Sequence, residues 1–203
     1  MSAEPIEYQE DGNLLGPWAR FRPPEGGWTT ELVDRIPDLP PHTELIDGSL
    51  VFVSPQKAFH NLVLFVMATQ LRHQTPAELR VRQEAAIRLD KHNRPEPDLF
   101  VIHKNGITGL AQTTFLPDHI KLVVEVESPE SKMRDRRVKP SYYAEAGIAH
   151  FWRVEDHSDE AVVFAYELIE EAGEYKLTGE HRGRFVVDSP FPVEIDLTEI
   201  RRL

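Results

Sequence analysis

Apolar residues Phe59, Leu62, Val63, Val66, Met67 and Leu71 recur at spacings of three and four, the period of one helix face, so residues 56–73 are predicted as an amphipathic helix lying on a sheet. Before it, the extended runs 44–46 and 50–53 flank Asp47-Gly48, a strong hairpin signal. Thr29 or Thr30, followed by Glu31, Leu32 and Ile36, reads as a short capped helix ended by Pro37. After Pro76 come four extended stretches, 78–82, 85–89, 98–103 and 119–127, separated by turn-rich runs such as 91–97. Leu122, Val123 and Val124 are consecutive and apolar, which predicts a central strand buried on both faces. A second helix should begin near Ser131 or Pro140 and stop at Gly147, with a further buried strand over 148–155. The tail reads as antiparallel additions near 161–168, 175–178, 184–187 and 193–195.

This order predicts an α/β class with a mixed central sheet flanked by helices and extra C-terminal antiparallel strands. Residues 1–27, rich in Pro, Gly and Glu without periodicity, are read as a flexible arm, and residues 28–203 as a single domain. There is no internal repeat and no low-complexity tract. The 203 residues contain no cysteine, which excludes a disulfide framework, a thiolate metal site and a cysteine nucleophile, and suits a cytoplasmic location. The apolar run 62–67 is far too short to cross a membrane. No Gly-x-Ser-x-Gly elbow and no glycine-rich phosphate loop appear, which disfavours serine hydrolases and nucleotide-binding enzymes. A carboxylate-pair glycosidase would need exposed aromatic platforms that the sequence lacks.

The candidate chemistry lies in acids. Glu125 and Glu127, two apart on the central strand, should share a face, and Asp98 can join them if its strand pairs alongside. Such a cluster needs a positive partner, because like charge and desolvation both oppose ionisation. A divalent cation such as Mg²⁺ would serve, holding two carboxylates and a backbone carbonyl and keeping positions for water and phosphate. A buried arginine or lysine would serve as well, and spacing alone leaves the two open. The formal net charge of -11 opposes nonspecific nucleic-acid binding, but Lys132, Arg134, Arg136, Arg137 and Lys139 fall together and offer a local phosphate-binding patch.

Glu44-Leu-Ile-Asp-Gly, His60, Pro97-Asp98, Leu122-Val-Val-Glu125-Val-Glu-Ser128-Pro129, Asp135, Lys139 and Tyr143-Ala-Glu-Ala-Gly-Ile148 before Phe151-Trp152 together resemble the Uma-type restriction endonucleases of the PD-(D/E)XK superfamily. The likeness runs from about Glu44 to Glu155. It implies a restriction-endonuclease-like core, a Mg²⁺ (or Mn²⁺) cofactor, DNA as partner and hydrolysis of its phosphodiester bonds. It also leaves room for a homodimer, since such nucleases often cut two strands as pairs. Carried over, the resemblance makes Asp98 and Glu125 metal ligands with the Val126 carbonyl as a third, and Glu44 an additional acid. Where the motif's lysine belongs stands Glu127, so the cation would come from Lys139, at a helix start because Pro140 follows it. Glu127 is then expected at the edge of the site, as an extra ligand, a water-orienting base or the partner of Arg134, Arg136 or Arg137. The displaced lysine and the acidic charge keep a second reading open, a nuclease-fold module that binds nucleic acid or protein without cleaving it.

Overall fold

The computed structural model describes residues 16–158 and 160–202. The first fifteen residues of the expected arm therefore lie outside the described residues. Of its remainder, Phe21 is buried edge-on against Phe52, with ring centroids 5.2 Å apart.

The elements in order are α1 (Thr30–Val33), the hairpin β1 (Thr43–Ile46) and β2 (Ser49–Phe52), α2 (Ala58–Gln74), β3 (Leu79–Gln83), β4 (Ala86–Ile87), β5 (Leu99–His103), β6 (Thr114–Phe115) and β7 (Ile120–Val126). Then follow α3 (Lys139–Glu145), β8 (His150–Asp156), β9 (Ala161–Ile169), β10 (Glu174–Arg182), β11 (Arg184–Val187) and β12 (Val193–Asp196). Six strands form the central sheet in the order β10-β9-β8-β7-β5-β3, with β7 and β8 parallel and the other neighbours antiparallel. This is the expected mixed α/β architecture. The parallel pair requires a crossover, which α3 supplies.

Both faces of the sheet are covered. On one, Val63, Met67 and Leu71 of α2 meet Leu99, Leu122, Val124 and Trp152, and the β11-β12 hairpin closes the layer with Phe185 and Ile195. On the other, Tyr143 of α3 joins Phe100, Ile102, Val123 and Phe151. Leu122, Val123 and Val124 are each fully buried, as their consecutive placement requires. The turn between β1 and β2 has Asp47 at φ 52° and Gly48 at φ 71°, the paired positive angles that an Asp-Gly hairpin supplies.

Three features departed from expectation. The segment before α3, Arg134–Val138, is a π-helical turn that runs directly into α3, so the two predicted starting points belong to one continuous helical stretch. The edge strand β10 extends to Arg182, beyond the predicted 175–178, because its register breaks between Leu177 and Gly179 and polar residues continue on an exposed edge. β4 is a two-residue part of the expected stretch 85–89, and its partner β6, equally short, lies outside the expected strands because two residues leave no periodic signal. No helix among the described residues is long and apolar enough to cross a membrane.

Trp152 is 1% exposed and touches both α2 and β11 layers of the core. Trp152→Ala is expected to cost about 3–5 kcal/mol of unfolding free energy, as for other large-to-small aromatic truncations, read from urea denaturation; a loss below about 1 kcal/mol would contradict this packing.

Candidate active site

Three separate parts of the chain converge at one end of the central sheet. Leu45 and Arg94 exchange backbone hydrogen bonds (3.1 and 2.7 Å), and the Glu96 N–H donates to Glu44 Oε1 at 2.9 Å, so the β1-β2 hairpin is tied to the turn that leads into β5. That turn delivers Asp98 just before Leu99, beside the end of β7, where Val126 N–H donates to Asp98 Oδ2 at 2.6 Å. The π-helical turn and the first residue of α3 lower Asp135 and Lys139 onto the same place. Glu44, Asp98, Glu125, Val126, Asp135 and Lys139 all line a single cavity of about 400 Å³.

At its centre is an ammonium. Lys139 Nζ lies 2.8 Å from Glu44 Oε1, 3.2 Å from Glu125 Oε1 and 3.5 Å from Asp135 Oδ1, with all four side chains buried. Burial alone would lower its pKa, but Glu125, Glu44 and Asp135 outweigh that and hold the amine well above its ordinary value, so it is charged. Burial pushes Glu125 well above the usual carboxylate range; Lys139 opposes the shift, and the charges of Asp135, Asp98 and Glu44 add to it. Asp135 is raised for the same reasons. Tyr143 donates its hydroxyl to Glu125 Oε1 at 2.6 Å and, being buried beside that acid, stays a neutral phenol. One lysine cannot neutralise three buried acids, so without another cation part of this group must hold a proton.

The surroundings lean further negative. Seven carboxylate side chains line the cavity against two permanent cations, Arg134 and Lys139, together with His42 and His60. His60 Nε2 lies 3.1 Å from Asp98 Oδ1, and although burial lowers the imidazole pKa, Asp98 outweighs it and raises the net value. At the rim, the His42 imidazole bonds Glu96 at 2.6 Å and is raised by that bond, whereas burial raises Glu96. The buried Asp135 Oδ1 has no hydrogen bond, and none among the described residues reaches Glu125 Oε2. The excess negative charge and the orphaned Asp135 oxygen fit a cation, while Arg134 Nε and His60 Nδ1, likewise without a hydrogen bond, offer donors for an anionic group in the same cavity. Among the described residues no three His, Asp or Glu side chains form a finished cage. Asp98 and Glu125 therefore suit an ion that retains waters, as Mg²⁺ does, better than one enclosed by protein.

Four of the sequence-predicted residues, Glu44, Asp98, Glu125 and Lys139, are thus brought together with Val126; Glu127 is not. It lies just past β7, bonded to both Nε and Nη2 of Arg136, and lines a neighbouring hollow. The expected basic patch is divided: Lys132, Arg136 and Lys139 pair with acids, Arg134 lines the cavity and Arg137 is exposed. Arg136 also reaches Glu155 at 2.6 Å, Lys132 approaches Glu127 at 3.6 Å, and Lys139 is enclosed. Asp135 and Tyr143 were quoted in the resemblance without a role, and both touch the central cluster; their spacing of four residues on either side of Lys139 was the signal for it.

The family model described as "Putative restriction endonuclease", Uma2, matches residues 30–198. A solved structure, titled a "putative nuclease belonging to DUF820" from Anabaena variabilis, superposes with a TM-score of 0.58 at 16% identity, covering 85% of this chain and 96% of that one. The two share a fold. No curated protein matches.

The raised carboxyl groups carry a signed consequence. A carboxyl whose folded pKa exceeds its unfolded value stabilises the fold at low pH and loses that contribution as pH rises from the unfolded pKa through the folded one. Metal-free protein should therefore lose stability as pH climbs above the ordinary carboxylate values of 4.5 for Glu125 and 3.8 for Asp135. Glu125→Gln should flatten that decline, measured as urea midpoints across a pH series in chelator; parallel declines in both proteins would rule it out.

Proposed function

Since the chain belongs to the Uma2 restriction endonuclease family, we propose that it is a divalent-metal-dependent endonuclease that hydrolyses DNA phosphodiester bonds at the Asp98–Glu125 cavity. The observation that carries this reading is the placement of Lys139. The cation missing from position 127 returns from α3 and stands 3.2 Å from Glu125, so two acids and a lysine share one site although the strand reads Glu-x-Glu.

Asp98, Glu125 and the Val126 carbonyl would hold the ion. When bound, Mg²⁺ or Mn²⁺ would polarise the phosphoryl oxygens and lower the pKa of a coordinated water to give the nucleophile. The chain's own residues set the rest. The Val126 N–H fixes Asp98 through Oδ2, and the His60 imidazole stands 3.1 Å from its Oδ1. Tyr143 holds Glu125 by Oε1, leaving Oε2 directed to other partners. Glu44 holds Lys139 from the far side, so the ammonium is pre-positioned, and its charge can stabilise the negative charge that builds on the phosphoryl group. The same ammonium, 3.2 Å from Glu125, is placed to orient an attacking water beside that acid.

Supercoiled plasmid incubated with Mg²⁺ or Mn²⁺ should be nicked by wild type and spared in chelator. Asp98→Ala and Glu125→Ala should each lower the rate on the order of 10²-fold or more, and Lys139→Met by a similar factor while the protein stays folded by circular dichroism. Equal nicking by all four proteins would mean contamination and sink the reading. Metal binding without nicking by pure wild type would favour the non-cleaving module instead.

A further inference from the structure

Three of the five basic residues expected to face phosphate are paired with acids, and a different group of arginines stands where sequence distance hides it. Arg80 and Arg82 alternate along β3, an edge strand of the central sheet, on the face opposite the one where Leu79 and Val81 pack under α2, and Arg72 lies in the last turn of α2 across that edge. Arg72 and Arg80 are exposed and Arg82 half-buried. Among the described residues none of the three has a carboxylate within ion-pair distance; Arg80 is bonded only to the carbonyls of Ala77 and Leu79, and Arg82 to that of Val81. They are charged neighbours of one another. Burial and the like charges of Arg80 and Arg72 together lower the Arg82 pKa below its ordinary value.

A strip of mutually repelling guanidinium groups, kept in a chain of formal net charge -11, is stabilised by an anion and disfavoured without one. The strip is also continuous with the cavity. Glu84, one residue past the end of β3, lines that cavity, and its N–H bonds Asp98 O at 3.2 Å. By strand rise Arg82 lies about 7 Å from Glu84 and Arg80 about 13 Å. We propose that Arg72, Arg80 and Arg82 form a backbone track for the nucleic-acid strand whose scissile phosphate enters the cavity, so that the strand leaves the site along the β3 edge. This rests on the nuclease reading. It identifies a strand spanning several phosphates as the substrate, because a mononucleotide would end before reaching Arg80.

The test is fluorescence anisotropy of a labelled DNA duplex in Ca²⁺ over a salt series, using wild type and the triple variant Arg72→Gln, Arg80→Gln and Arg82→Gln. The triple variant should bind at least about tenfold more weakly at low salt, and its slope of log affinity against log salt should be shallower by about 2–3. Arg184→Gln, an exposed arginine paired to Glu194 at 3.0 Å, serves as control and should leave the slope unchanged. Equal slopes for wild type and the triple variant overturn the track, as does a loss reproduced in full by the control. Wild-type hydrolysis of bis(p-nitrophenyl) phosphate with Mn²⁺, a substrate too small to reach the arginines, tests the nuclease reading separately. Absence of both that hydrolysis and DNA binding would overturn both.

Discussion

The ammonium of Lys139, enclosed by Glu44, Glu125 and Asp135, is the interaction on which the rest of this end of the molecule depends. Each acid arrives on a different element: the β1-β2 hairpin, the central strand and the π-helical turn. Without the lysine those elements would bring three carboxylates into one low-dielectric space, at a cost of several kcal/mol. With it, a hairpin outside the main sheet is fastened to the core. The π-helical turn has a local meaning in this light: it leads directly into α3 at the residue that must face Glu125, and such wide turns recur where a helix serves a site.

The same cluster is deliberately unbalanced. One fixed positive charge meets three buried acids, with Asp98 and Glu96 close by, so the pocket prefers either protons or a divalent ion. Protons would stabilise the resting fold, and under the proposed function an ion displacing them would bring the charge that phosphate chemistry requires. A DNA strand approaching a chain of net charge -11 meets repulsion over most of the surface. On the proposed reading, the cavity, once loaded with an ion, and the arginines at the β3 edge would be two local exceptions.

Much of this was legible in the residues. Asp47-Gly48 marked the hairpin, the three-four spacing from Phe59 to Leu71 marked α2, and Leu122-Val123-Val124 marked a strand buried on both sides. Glu44, Asp98, Glu125 and Lys139 were singled out, and the structure brings them into one cavity. The spacing rule overreached on the shared face, while an arginine partner for Glu127 was among the expected outcomes. Glu125 and Glu127 are two apart, but the first stays on the buried strand beneath α3 while the second lies beyond its end, where Arg136 takes it. The Arg72–Arg80–Arg82 strip was invisible because it depends on which strand becomes the sheet's edge and where α2 ends over it, both set by tertiary packing. The basic run from Lys132 to Lys139 was split by the fold, since Lys132, Arg136 and Lys139 went to acids on or next to β1, β7 and β8 while Arg134 stayed in the cavity lining.

The most direct test of the unbalanced cluster is a crystal of the protein soaked in Mn²⁺ and measured for anomalous scattering. The account predicts one strong peak between Asp98 and Glu125, about 2.0–2.3 Å from a carboxylate oxygen of each, with Lys139 still beside Glu44. A map with no peak in the cavity, or an ion bound elsewhere while Lys139 alone neutralises Glu125, would contradict it.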